Sequence, residues 1–211
     1  KYAITNSFIT LFDFQFTLLS ISILFITASG YIINDIFDVQ ADIINKPAKV
    51  FIDTTIPKKK AYIVYFTLSI LGFLLGIYAS YIKGNISYSL FFISTIILLF
   101  WYSKTLKRIA FIGNIVVSFL TALTIFIVFV FELESVDTAS NIFEAIVNFL
   151  KLIPTTIALL CYLIFAFSIN LIREIIKDTE DIKGDYSLKM KTLPILIGIN
   201  RTKNVALFIS A

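Results

Sequence analysis

The sequence predicts an all-α fold, a polytopic transmembrane helical bundle, on three observations. First, 58% of the 211 residues are hydrophobic and only 15% are charged, whereas a soluble domain carries about 25% charged residues; the mean hydropathy is +0.91. Second, the charges are segregated, leaving uncharged apolar runs of about 20 residues, the length that crosses a hydrocarbon layer of about 30 Å. Third, Lys and Arg gather in alternate loops between those runs, as orientation in a bilayer produces.

Five runs qualify as full spans. Run 14–34 lies between Asp13 and Asp35, and run 61–82 between Lys60 and Lys83. Run 84–103 follows Lys83 and stops at Lys104, run 109–131 sits between Arg108 and Glu132, and run 152–172 is framed by Lys151 and Arg173. A sixth run starts near Asn204 and reaches only Ala211, too short to cross. A helix that stops inside a bilayer leaves carbonyls unsatisfied. The expectation is therefore a single domain over 1–211, five full spans plus an incomplete sixth, cut from a larger bundle at its C-terminus and also at its N-terminus.

Fifteen of the 18 Lys and Arg fall in three loops, 46–60, 104–108 and 173–203. The opposite side holds Lys83 and Lys151 beside Glu132, Glu134, Asp137 and Glu144. The positive-inside rule makes the three basic loops cytoplasmic. The net charge of +4 thus reports orientation rather than nucleic-acid binding. In the long acidic loop, 140–150 (SNIFEAIVNFL) groups its apolar residues on one helical side. Two readings stand for it: a segment lying on the membrane surface, and a loop helix capping the bundle.

There is no histidine, and the single Cys161 lies inside an apolar run. Zinc sites built on His or Cys, a Ser-His-Asp triad and an internal disulfide are excluded. The chemistry lies in the aspartates. Asp35, Asp38 and Asp42 repeat the spacing of Asp178, Asp181 and Asp185, i, i+3, i+7, which on a helix puts three carboxylates on one face. Carboxylates stacked in this way repel one another unless cations neutralise them. Asn34, one turn before Asp38, adds a neutral amide oxygen. Hard oxygen donors without His or Cys favour Mg²⁺, which binds a few carboxylates together with substrate phosphates. Asn34, Asp38, Asp42, Asp178, Asp181 and Asp185 are the candidate metal ligands. Lys46, Lys49, Arg173 and Lys177 surround them as candidate phosphate contacts. Ordinary acidic residues flanking spans would also be found here, but two clusters of identical spacing on one otherwise basic face argue against that.

These motifs resemble those of the UbiA superfamily of intramembrane prenyltransferases. NDxxDxxxD is met by Asn34, Asp35, Asp38 and Asp42, and the second aspartate-rich motif by Asp178, Asp181 and Asp185 within REIIKDTEDIKGD. NKPAKV, YSKTLKR, the pair Gly113 and Asn114, and KTLPILIG follow in the family's order. Lys49 and Val50 stand where many members have Arg-Pro. The resemblance implies Mg²⁺-dependent transfer of a polyprenyl group from a prenyl diphosphate to a lipophilic acceptor in a bacterial or archaeal plasma membrane. It makes Asp35, Asp38, Asp178, Asp181 and Tyr102 catalytic and adds Lys107 as a diphosphate contact. For Tyr102 an aromatic-belt role beside Trp101 is the equal alternative. The wording of REIIKDTEDIKGD is most similar to the branch that transfers geranylgeranyl to geranylgeranylglyceryl phosphate; an aromatic quinone precursor or a tetrapyrrole is the alternative acceptor.

Three other classes fit less well. A cation transporter and an intramembrane aspartyl protease both need acids deep within the spans, but the five runs are uncharged. A soluble isoprenyl-chain synthase would not have helices apolar all round. The prenyltransferase reading requires both clusters to face one cavity. That cavity should continue as an apolar tunnel, walled from the 22 Phe and 10 Tyr.

Overall fold

The computed structural model describes the backbone of residues 13–132 and 142–210, and side chains within 14–132 and 154–210. Among the described residues eight α-helices follow in order: α1 (Asp13–Asn45), α2 (Lys58–Ile82), α3 (Ser89–Lys104), α4 (Ile112–Glu132), α5 (Ile142–Glu180), α6 (Ile182–Ser187), α7 (Leu193–Ile197) and α8 (Ile199–Ser210). Short 3-10 turns lie at Pro47–Lys49, Ile86–Tyr88 and Leu106–Arg108. Five helical segments are long and apolar enough to cross a membrane: Phe14–Asn45, Lys58–Ile82, Ile86–Lys104, Ile112–Glu132 and Pro154–Glu180. Each takes up one of the expected runs.

Helix α1 does not stop where its apolar run does. Its 33 residues make it about 50 Å long at 1.5 Å per residue, so it outruns a hydrocarbon layer of about 30 Å. NDIFDVQAD rides on the far end of the same rigid helix. Leu19, Ser22, Ile26, Ser29, Ile33 and Ile36 are buried along it, at the intervals of three and four that mark one helical face. Small residues let its neighbours close in. The Ser22 hydroxyl donates to the Gly72 carbonyl at 2.7 Å, and a Cβ on Gly72 would stand 2.8 Å from Ile26. Next along α2, a Cβ on Gly76 would stand 2.6 Å from the Phe92 ring. Leu19, Ile26, Ala79, Phe92, Ile127 and Phe131 form the core that joins α1 to α4.

Helix α5 packs on α4 and α8, and α1 on α2, α3 and α6. The outer face of α5 exposes Ile157, Tyr162, Ile164 and Phe165, each by more than half. An apolar face of that extent suits lipid rather than water. The chain is an integral, polytopic membrane protein.

Three expectations need correction. The second aspartate cluster is not on one unbroken helix: Asp178 is in the last turn of α5, Asp181 sits at the bend with φ −90° and ψ 5°, and Asp185 is in α6. The sixth segment begins earlier than its apolar run, because Arg201 and Lys203 are helical in α8, Ile199–Ser210. Of 140–150, residues from Ile142 onward are continuous with α5, while 140 and 141, and the side chains up to 153, lie outside the described residues.

Candidate active site

The C-terminal ends of α1, α3 and α5, with the connections that follow them, line a cleft of about 350 Å³. One wall is α1, whose projecting end presents Asn34, Asp35, Asp38 and Asp42. The opposite wall brings Asp178, Asp181 and Asp185 from the junction of α5 and α6. The two clusters, more than 130 positions apart in sequence, therefore face one space at one end of the bundle.

Lysines hold the carboxylates. Lys107 leaves the turn Leu106–Arg108, which α4 approaches so closely that a Cβ on Gly113 would lie 2.7 Å from the Lys107 Cα. Its ammonium donates to Asn34 Oδ1 at 3.1 Å and pairs with Asp38 Oδ1. Asn34 Nδ2 in turn donates to Asp38 Oδ2 at 2.7 Å. Burial lowers the Lys107 pKa, while the Asp38 charge opposes that shift. On the other side Lys46, just past α1, reaches across to Asp181 Oδ1 at 2.6 Å. Burial would lower the Lys46 pKa, but the hydrogen bond and charge of Asp181 outweigh it and hold the ammonium above its usual value.

The second cluster is tied to its surroundings by amides. Asn114 at the start of α4 donates to Asp178 Oδ2 at 2.9 Å. Asn45 bonds to the backbone at Asp181 and Gly184. The Lys191 N–H donates to the Arg108 carbonyl at 2.9 Å, fastening the stretch before α7 to the turn that carries Lys107. Asp185 is only 8% exposed. Burial first, then the charges of Asp181 and Asp38, push its pKa up to about 6.

Of the residues expected from sequence, Tyr102, Lys46, Lys49, Lys107 and Lys177 line the cleft beside all six aspartates and Asn34. Arg173 is not among the lining residues: its side chain is 64% exposed and pairs with Glu174 Oε1 at 2.7 Å. Glu174, buried and lining the cleft, was not singled out, although its place one turn before Asp178 extends the same acidic face. Asn45 carried no signal of its own beyond opening NKPAKV. Asn114 was visible only as half of a Gly-Asn pair.

The donor set is all oxygen, carboxylate and amide, which fits Mg²⁺. Two of the carboxylates pair with ammonium groups, so the cleft accommodates positive charge; among the described residues no three acidic side chains are grouped closely enough to hold one ion as they stand. A smaller apolar pocket of about 20 Å³, lined by residues including Ile23, Ile26, Phe92 and Leu123, lies between α1, α3 and α4. Along α1 it sits about 10 Å from Asn34 toward the membrane interior. It shares no lining residue with the cleft.

Comparison with known proteins gives one answer. The sequence is 34% identical over 177 residues to the digeranylgeranylglyceryl phosphate synthase of Sulfurisphaera tokodaii, covering 84% of this chain and 55% of that protein. It is 36% identical over 181 residues to the same-named protein of Saccharolobus solfataricus, covering 86% of this chain and 56% of that one. The Pyrococcus abyssi counterpart is 36% identical over 180 residues, with 85% and 55% covered. The chain thus spans just over half the length of these relatives. A solved structure concerned with digeranylgeranylglyceryl phosphate synthase in membranes superposes with a TM-score of 0.60 at 26% identity, over 95% of this chain and 62% of that one. The profile of the UbiA prenyltransferase family matches residues 3–211, and this chain belongs to that family.

Proposed function

We propose that the protein transfers a geranylgeranyl group from its diphosphate to a lipophilic glycerophosphate acceptor within the membrane, with Mg²⁺. The observation that carries this reading is the shared cleft: two aspartate clusters and four lysines face one space at the end of apolar helices. Such a space suits a diphosphate head with a hydrocarbon tail. The names of the relatives supply the acceptor class. Asn34, Asp38 and Asp42 on one wall, with Asp178, Asp181 and Asp185 on the other, would hold the metal. Bound there, Mg²⁺ supplies Lewis-acid neutralisation of the charge that develops on departing diphosphate.

The chain's own residues do the rest. Lys107 and Lys46, which pair with Asp38 and Asp181 at the cleft, would serve as donors for phosphate oxygens. Lys49 and Lys177 add positive charge from the turn after α1 and the end of α5. Tyr102 lines the cleft from the end of α3, where its ring can face the allylic carbon as positive charge grows there. The apolar helices exclude water from that carbon.

The test is to incubate the full-length protein in lipid with Mg²⁺, labelled prenyl diphosphates and candidate acceptors, and to weigh the product. Digeranylgeranylglyceryl phosphate is expected. A product on an aromatic or tetrapyrrole acceptor alone would overturn the acceptor, and full transfer in excess chelator would overturn the metal.

A further inference from the structure

The two walls of the cleft need something to hold them in register. Since α1 packs directly on α6, and α6 follows α5 at the Asp181 bend, α6 is one direct join between the first motif and the second. That helix is six residues long, and its first N–H groups have no partner within it. The residue in the capping position is Asp181, a type that normally caps with its own carboxylate. Here Asp181 makes no side-chain cap bond; its carboxylate pairs with Lys46 instead.

The cap comes from another helix. Asn45, the last residue of α1, accepts from the Gly184 N–H through Oδ1 at 2.8 Å, the third position of α6 and the one a capping side chain normally serves. Its Nδ2 donates to the Asp181 carbonyl at 2.9 Å. One amide thus satisfies a donor and an acceptor at the bend. Gly184 makes the approach possible, because a Cβ there would stand 2.7 Å from the Ala41 carbonyl of α1. We propose that Asn45 is a positioning residue that caps α6 in place of Asp181, freeing the Asp181 carboxylate to face the cleft and fixing the distance between the two aspartate motifs. Its consequence for diphosphate binding rests on the function proposed above; the capping itself does not.

Two measurements on the full-length protein separate these parts. The first is amide hydrogen exchange at Gly184 without metal. Asp181→Ala should leave Gly184 protected, and adding Asn45→Ala on that background should speed its exchange about 10-fold. Deprotection by Asp181→Ala alone would show Asp181 to be the cap and overturn the inference, whatever the protein's activity.

The second is Mn²⁺ binding with inorganic diphosphate, followed by electron paramagnetic resonance. Asn45→Ala should weaken it at least about 10-fold and add little once Asp181 is already Ala, because both changes remove the same carboxylate. Unchanged binding in Asn45→Ala, or a loss fully additive with Asp181→Ala, would overturn the positioning role while leaving the proposed function standing. If the wild type binds no Mn²⁺ and diphosphate, the proposed function fails and the exchange result alone decides the capping. Should Asn45→Ala not fold, Asn45→Ser shortens the arm beyond reach of Gly184 and is read in the same way.

Discussion

Asp38 and Asp181 occupy equivalent places in their clusters, and each already neutralises a lysine: Lys107 on one wall, Lys46 on the other. Removing either carboxylate strips one wall of its central acid and leaves an ammonium without its partner. Asp38→Ala or Asp181→Ala should therefore lower kcat by about 10²-fold or more, the cost of deleting one preorganised electrostatic group, with membrane insertion intact; near-normal turnover in both would sink the two-wall site. Asp185 gives a pH signature. Its pKa, raised by burial from 3.8 to about 6, means that its ionisation opposes folding. The penalty is absent while the carboxyl is protonated in both states, grows as pH rises from about 4 to 6, and is then constant. Metal-free Asp185→Asn should gain thermal stability over wild type across that window, and a difference independent of pH would refute the assignment. The aspartates were legible because their chemistry needs a repeated spacing. Asn45 and Asn114 were not, since an amide is an everyday loop residue until its partner, 136 or 64 positions away, is known.

Helices were legible to the extent that hydropathy follows backbone. Uncharged runs located five spans, because a lipid-facing helix needs apolar side chains along its length. They do not mark the end of α1, since charge ends a hydrocarbon-soluble segment without ending the hydrogen bonds of a helix. The short helices α6 and α7 left no periodic trace in five or six residues. Nor did the runs reveal how closely helices approach, which small residues decide. Gly76 is the sharpest case: α3 seats Phe92 where a Cβ would come within 2.6 Å of its ring, and Phe92 packs edge-on against Phe131 with centroids 6.0 Å apart. Gly76→Ala must push that ring from its place, at a cost of about 1–3 kcal/mol. A lowered melting temperature is expected, with KM for the donor unchanged because the site lies at the bundle's end. A variant as stable as wild type would mean that α2 and α3 separate freely.

Across the whole molecule, the three basic loops prove to be one structure. The stretch after α1 brings Lys46 and Lys49, the turn after α3 brings Lys107, and the segment from the end of α5 brings Lys177, all to the same cleft. If those lysines bind the diphosphate as proposed, the charge asymmetry that orients the chain also serves its substrate, and the cleft should open on the side the positive-inside rule selects. This predicts a cytoplasmic cleft, checkable in intact cells. With Cys161 replaced by Ser, a cysteine at Lys59, exposed at the start of α2, should resist a membrane-impermeant maleimide until the cells are opened. One at Ser87, exposed in the turn between α2 and α3, should react at once. The two sites flank a single helix of 25 residues, about 37 Å long, so they report opposite faces of one crossing. Labelling at Lys59 but not Ser87 would invert the molecule and place the diphosphate site outside, and labelling at both would deny that α2 crosses the membrane.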